Sequence, residues 1–367
     1  MKKSLVALAA LAFVGVASAQ SSVTLFGVMD AAVEHVSGSG VGSVTRLVSG
    51  ANATSRVGFR GTEDLGGGLN ASFWLEAGMY ADNGTGQTLS VNNQTVTTVG
   101  INRRSTVSLA GNFGEVRLGR DYTPFFWNET VFDPFGSVGV GAGLNLIQGL
   151  GAFAKVQTVT RASNSVGYFL PSNLGGFYGQ AMYAMGENSS TTVPTLANPN
   201  ANSKAGNLAS LRVGYANGPV NVGLGYGQTK AVVASTPAGA PGDYKVTNMG
   251  GSYNFGPAKV MALWNQEKTG VATAWGAKNT TYLLGVSVPV GAGEIKASYL
   301  RAKTDTNALK GNLYAVGYVY NLSKRTAVYT TYARISNSGS VASFTNGVTP
   351  TLGGNAQGLD IGLRHSF

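Results

Sequence analysis

Apolar residues in this chain recur at every second position, from shortly after the N-terminus to the last residue. In Leu69-Asn70-Ala71-Ser72-Phe73-Trp74-Leu75-Glu76 the odd positions are apolar and the even ones include Asn, Ser and Glu. Val220 to Tyr226, Leu211 to Tyr215 and Glu294 to Tyr299 repeat the pattern. Successive side chains of a strand point to opposite faces, so strict alternation predicts strands with one face against an apolar phase and the other against water. A helical reading would need a period of 3.6, which these stretches lack.

Connections between the strands alternate in length. Short turns are expected at Gly61–Gly68, Gly111–Gly114, Pro171–Gly176, Asn217–Pro219, Gly256–Pro257, Pro289–Gly293 and Asn321–Arg325. Longer polar segments lie at Ser37–Gly42, Asp82–Asn93, Tyr122–Thr160, Glu187–Gly206, Ala231–Asp243, Lys268–Ala277, Thr304–Leu309 and Asn337–Asn355. Seven short turns and eight longer loops separate sixteen strands. An even strand number, with short turns at one end and long loops at the other, predicts an all-β, transmembrane, 16-stranded antiparallel barrel of the bacterial outer-membrane type. A β-sandwich also alternates, but sixteen strands would need two or three such domains, and no linker divides residues 20–367.

Composition fits a chain that is half solvated by lipid. Charged residues make up 11% of the sequence, against about 25% in an ordinary soluble chain. Glycine contributes 53 of 367 residues, about twice its usual share of roughly 7%. Lys2 and Lys3, an apolar run from Leu5 to Val16, and Ala17-Ser18-Ala19 make a secretory signal peptide over residues 1–19. The mature barrel then runs over 20–367 as one domain. Cysteine is absent, so an exported chain of this kind must be stabilised by something other than disulfides, and a closed hydrogen-bonded barrel supplies it. At the other end, Leu359, Ile361, Leu363 and Phe367 alternate to the terminus, as a lipid-facing closing strand requires.

Several stretches carry a family resemblance. They are Ser22-Val23-Thr24-Leu25-Phe26-Gly27-Val28-Met29-Asp30, Ser55-Arg56-Val57-Gly58-Phe59-Arg60-Gly61-Thr62-Glu63-Asp64-Leu65-Gly66, Phe113-Gly114-Glu115-Val116-Arg117-Leu118-Gly119-Arg120, and the terminal Phe367. In these the chain resembles the general porins of the Gram-negative outer membrane, and among them the anion-selective porins of beta-proteobacteria. His365 departs from the pattern, standing where many porins have tyrosine. The resemblance implies a homotrimer of barrels in outer-membrane lipid, each with a water-filled pore for ions and small hydrophilic solutes. It also implies that the third loop, Tyr122–Thr160, folds inward to narrow the pore, and that Asp82–Asn93 latches over a neighbouring subunit.

Alternation and resemblance together name the pore charges. Val57 and Phe59 facing lipid turn Arg56 and Arg60 inward; Val107 and Leu109 facing out turn Arg104, Thr106 and Ser108 inward. By the family pattern Arg56, Arg104 and Arg161 form a basic wall opposite the third loop, with Arg103 able to replace Arg104 if a bulge shifts the register. The acidic side would draw on Glu76, Asp121, Glu129 and Asp133, although Asp133-Pro134-Phe135-Gly136 is also a turn in which the aspartate caps backbone amides. Lumen arginines outnumbering acids predict a preference for small anions, because a narrow low-dielectric channel focuses the field of its few fixed charges.

Other classes find little support. With two histidines and no cysteine, a His/Cys metal centre has almost no ligands, and no cofactor motif is present. Arginines are spread singly along strands instead of clustering as a nucleic-acid footprint does. A substrate-selective channel for sugars or anions, and a barrel enzyme drawing on His35, stand as alternatives to a general pore.

Overall fold

The protein is described by a computed structural model covering residues 22–367, apart from 88, 92–93, 97–99, 148–157, 190–202, 234–241, 271–277, 306–308, 341, 343 and 345–346. The expected signal peptide and parts of the longer loops lie outside these residues.

The strands are β1 Ser22–Gly38, β2 Gly42–Ser49, β3 Arg56–Gly66, β4 Leu69–Gly78, β5 Leu89–Val91, β6 Gln94–Val96, β7 Arg104–Gly111, β8 Gly114–Tyr122, β9 Arg161–Phe169 and β10 Phe177–Ala184. They continue as β11 Leu208–Asn217, β12 Val220–Val233, β13 Gly242–Asn254, β14 Lys259–Thr269, β15 Lys278–Val290, β16 Gly293–Thr304, β17 Lys310–Asn321, β18 Thr326–Ser338 and β19 Ala356–Ser366. Two short helices, α1 Phe126–Val131 and α2 Leu144–Ile147, lie between β8 and β9. β5 and β6 form a separate hairpin; all other strands belong to one antiparallel sheet.

That sheet closes. β1 pairs with β19 from Val28↔Ser366 to Gly38↔Ala356, and with β3 over Ser22–Val28. It pairs with β2 over Ala31–Gly38, so β2 and β3 are two halves of one strand interrupted at residues 50–55. The result is a 16-stranded antiparallel barrel. Closure leaves no unpaired edge, the condition for strands to cross hydrocarbon, where an unpaired backbone group costs several kcal/mol.

Two expected connections are shorter than the sequence pattern suggests. β1 runs to Gly38 and β2 begins at Gly42, leaving a three-residue turn with Gly40 at φ +79° in place of a longer loop. The Gly61–Gly68 turn shrinks to residues 67–68, because β3 continues through Gly66. In both cases polar residues that read as loop are solvated strand ends.

Side-chain faces follow the alternation. Val33, Val107, Leu109, Leu224, Met249, Leu284 and Ile361 are exposed on the outer wall, while their strand neighbours are buried or half-buried. Exposed Phe177, Tyr253, Phe255 and Tyr320 ring the barrel near the short turns. Exposed Tyr183, Tyr282 and Tyr314 lie nearer the longer loops. Two aromatic belts flanking an apolar band are the signature of a barrel seated in a bilayer. Among the described residues no helix is long and apolar enough to cross a membrane; the strands cross it.

The segment after β8 packs against the inner face of the far wall. Phe125 and Phe132 are 1% and 0% exposed. Asn128 Nδ2 donates to Asn248 Oδ1 at 3.0 Å, the Val140 amide to Asp360 Oδ2 at 3.0 Å, and Asn279 Nδ2 to the Ile147 carbonyl at 3.1 Å. Glycines on the wall make room: any side chain at Gly250 would collide with the Phe132 ring, at Gly285 with Pro134, and at Gly311 with Leu146. Part of the glycine content of this wall is thus space for the side chains packed on it. Burying each phenylalanine contributes roughly 1.5–3 kcal/mol to holding it there.

Candidate functional site

On the wall that this segment leaves uncovered, arginines converge. Register puts Arg56 opposite Gly78, and Gly58 opposite Glu76, so Arg56 and Glu76 share the inward face two residues apart in height. Arg104 pairs directly with Glu76 across β4 and β7, so their side chains share one face of the sheet. Arg103 lies just before β7, and its backbone N–H donates to the Glu76 carbonyl. From there its side chain also reaches the lumen: Nε donates to Glu76 Oε1 at 2.5 Å and Nη2 to the Tyr122 hydroxyl at 2.6 Å. Both arginines of the pair are therefore used, Arg103 toward Glu76 and Arg104 toward Asp121 at 3.8 Å.

Arg161 opens β9 directly opposite Tyr122. Its Nη2 donates to the Tyr122 hydroxyl at 2.5 Å and its guanidinium lies 4.2 Å from that ring's centroid. Tyr122 is stacked in turn on Phe126 and tilted against Trp127, with centroids 5.7 and 5.1 Å apart. One phenol oxygen thus accepts from two guanidinium groups, a concentration of positive charge that Glu76 balances only in part. Arg56 Nε stands 3.9 Å from the same Glu76 oxygen, and Arg161 Nε is buried with no hydrogen-bond partner among the described residues.

Arginines of the inner wall also rest on aromatic rings. Arg60 lies 5.3 and 5.1 Å from the Phe26 and Trp74 centroids, and Arg104 lies 4.5 Å from Trp74. Arg117 covers Phe169 at 4.0 Å and Arg212 covers Tyr178 at 4.6 Å. Arg117 also binds Asp121 at 2.5 Å and Glu115 at 2.9 Å. Arg212 also donates to Asn128 Oδ1 at 2.7 Å, and Arg104 to Thr106 Oγ1 at 3.1 Å, so ring contact and hydrogen bonds together fix these guanidinium groups on the wall.

The four acidic candidates divide into two groups. Glu76 and Asp121 sit among the arginines. Glu129, on α1, is 1% exposed and faces β13 and β14, away from them. Asp133 caps backbone: Oδ1 accepts from the Phe135 amide at 2.9 Å and Oδ2 from the Gly143 amide at 2.7 Å. Burial pushes the Asp133 carboxyl up to about 7 despite those two donors. Glu129, buried and beside Glu267, is pushed well above the usual carboxylate range.

Arg103 and Tyr122 are the site residues that alternation does not single out. Arg103 has outward parity, and only the end of the strand frees it to turn inward. Arg120 escapes parity too. A bulge at Gly119, with φ +123°, breaks the β8–β9 register, and Arg120 donates to the Asn102 carbonyl at 2.7 Å and to Ser163 Oγ at 2.8 Å.

A closed 16-stranded barrel with an apolar outer wall and charged groups on its inner wall defines a transmembrane channel of the outer-membrane type. The chain belongs to the Gram-negative porin family, whose sequence model matches residues 5–340. It is 39% identical over the full length of both chains to outer membrane porin protein 32 of Delftia acidovorans. It is 29% identical, again over all of both chains, to an outer membrane porin protein of Bordetella pertussis. Among solved structures it superposes on the anion-selective porin from Comamonas acidovorans with a TM-score of 0.79 at 36% identity, covering 95% of this chain and all of that one. An outer membrane protein of Vibrio cholerae, OmpT, shares the fold at a TM-score of 0.63 and 16% identity, over 96% of this chain and 98% of that one. The protein is thus a porin-type channel for passive diffusion across the outer membrane of a Gram-negative bacterium.

Proposed function

We propose that the pore is anion-selective and that its selectivity is set where the Tyr122–Thr160 segment, as an inward-folded third loop, narrows the lumen against Arg56, Arg103, Arg104 and Arg161. The observation that carries this reading is the imbalance of charge on the uncovered wall. Among the described residues, Arg56, Arg103, Arg104 and Arg117 share the three acids Glu76, Glu115 and Asp121 there, and Arg60 and Arg161 form no ion pair. Glu129 and Asp133, the acids that the loop could have offered in compensation, are turned into the far wall or into backbone caps. In a channel walled by low-dielectric protein, such an excess raises the local anion concentration and lowers that of cations. Likeness to the anion-selective porin from Comamonas acidovorans supports the same reading.

The assembly we propose is a homotrimer with Asp82–Asn93 as an intersubunit latch, made from a precursor whose residues 1–19 are removed on export. A second reading, a channel with a binding track for anionic solutes, draws on the arginines laid over Trp74, Phe169 and Tyr178. Planar bilayer recording in asymmetric KCl tests the main reading. A zero-current potential of the anion-selective sign is expected, and a potential of zero or of the cation-selective sign would refute it. Solute flux that saturates would favour the binding track.

A further inference from the structure

Behind α1, where the loop meets β13, β14 and β15, is a polar cluster that the arginine wall does not use. Glu129 comes from the helix, and Glu267, Asn265, Asn279 and Thr281 from the inward face of the barrel; each is 0–1% exposed. Register fixes their arrangement on the wall. Glu267 lies directly opposite Asn279, and Asn265 directly opposite Thr281 on one side and Asn248 on the other.

Acceptor oxygens in this cluster outnumber the donors available to them. Glu267 Oε1 accepts from the Tyr244 hydroxyl at 2.5 Å, and its Oε2 from Asn279 Nδ2 at 3.2 Å. Both carboxyl oxygens of Glu129, both amide atoms of Asn265, Asn279 Oδ1 and Thr281 Oγ1 have no partner within hydrogen-bonding geometry among the described residues. The Asn248 amide near Glu129 pulls its pKa down only weakly against burial, and that nitrogen donates to the Phe125 carbonyl at 3.0 Å. Neither glutamate forms an ion pair among the described residues. An ionised carboxylate buried without a partner costs many kcal/mol, and an unpaired amide costs about 1–3 kcal/mol more. One shared proton would relieve the repulsion between the glutamates but leave most of these oxygens unsatisfied.

From this surplus of buried, unpartnered oxygens we infer that the cluster binds a hard divalent cation of the Ca2+ class, which ties α1 to β14 and β15. Glu129 and Glu267 supply two negative charges, and Asn265 Oδ1, Asn279 Oδ1 and Thr281 Oγ1 supply neutral oxygens. An all-oxygen donor set of this charge suits Ca2+, which accepts six to eight oxygens in irregular geometry, better than Mg2+, which demands a near-ideal octahedron. Such a site needs neither histidine nor cysteine. The inference rests on where α1 sits, not on the sign of pore selectivity, and the two can fail separately.

The test uses the full-length protein purified in detergent and stripped with a chelator. Ca2+ should raise the thermal unfolding midpoint, with a dissociation constant on the order of 10⁻⁴–10⁻³ M. Tb3+ should show emission sensitised through Tyr244, whose hydroxyl touches Glu267. Glu129→Gln and Glu267→Gln, nearly isosteric, should each weaken Ca2+ binding at least tenfold and remove that component of Tb3+ emission. Should Glu267→Gln fail to refold, Glu129→Gln carries the test, because its carboxyl accepts no well-formed hydrogen bond that the change would break. An identical Ca2+ response in wild type and Glu129→Gln would overturn the inference. So would a wild-type midpoint that depends on pH but not on Ca2+, since that would leave the cluster to a proton alone.

Discussion

The two halves of the lumen follow one rule of alternation and reach opposite electrostatic outcomes. On β3, β4, β7, β8 and β9 the inward charges stand in the uncovered lumen, and arginine predominates. On β13, β14 and β15 the inward polar groups lie beneath α1, and the charges there are carboxyls. Parity decides which face a residue takes; whether that face meets permeating ions depends on what is laid over it. Aromatic and leucine side chains of the loop cover the far wall wherever glycine leaves space, as at Gly250 beneath Phe132 and Gly311 beneath Leu146.

The largest expected effect contrasts the two regions directly. Arg161→Glu replaces a positive charge with a negative one where Arg103, Arg56 and Glu76 already crowd together. Two charges at about 4 Å interact by roughly 4 kcal/mol at an effective dielectric constant near 20. The zero-current potential in a KCl gradient should fall toward zero or change sign. Glu129→Gln should leave it near the wild-type value. If the buried variant shifts the potential as far as Arg161→Glu does, the division into an exposed wall and a covered wall is wrong.

Next is pH. The Asp133 carboxyl, raised from its ordinary 3.8 to about 7 by burial, binds a proton more tightly in the folded protein than in the unfolded one. Its contribution to stability is therefore fully present below about pH 4 and is lost as pH rises through about 7, a difference on the order of a few kcal/mol. The unfolding midpoint should fall across that window, after allowance for other titrating groups. Asp133→Asn should flatten that component, and a slope unchanged in the variant would show that Asp133 is not its source. A smaller loss, about 1–3 kcal/mol, is expected for Gly250→Leu, which forces the Phe132 ring from its seat. Unfolding of the variant measures that loss. Single-channel recordings should show larger current fluctuations if the loop loosens, and currents as quiet as wild type would argue that Phe132 does not fix it.

Much of this was legible in the sequence, for identifiable reasons. Period-two alternation needs no tertiary information, so the sixteen strands and the inward faces of Arg56, Arg104 and Glu76 could be read directly. Alternation offers Arg103 only as a replacement for Arg104 and does not offer Arg120 at all, since one lies past a strand end and the other at a bulge, where parity ceases to apply. Glu129 and Asp133 were identifiable as loop acids, and a turn role for Asp133 could be read from Asp-Pro-Phe-Gly. That Glu129 faces β13 and β14 depends on contacts with residues more than a hundred positions away, which local pattern does not encode. The oxygen cluster around Glu267 was invisible for the same reason: its members look like ordinary lumen polar residues until a helix covers them.

The smallest effect separates the two regions by screening. Raising salt from 0.1 M to 1 M shortens the Debye length from about 10 Å to about 3 Å. The arginines of the uncovered wall act on ions in water, so anion preference should weaken steadily over that range. The Asp133 carboxyl is buried away from the electrolyte, so the pH-dependent component assigned to it should change far less over the same range. Recording the zero-current potential and the pH slope of unfolding in parallel salt series puts both on one axis. If selectivity persists at 1 M salt, its origin is short-range contact with the stacked guanidinium groups rather than their field. The arginines over Trp74, Phe169 and Tyr178 would then be the selecting element, and Arg104→Gln should cost more selectivity than removal of any arginine that does not rest on a ring.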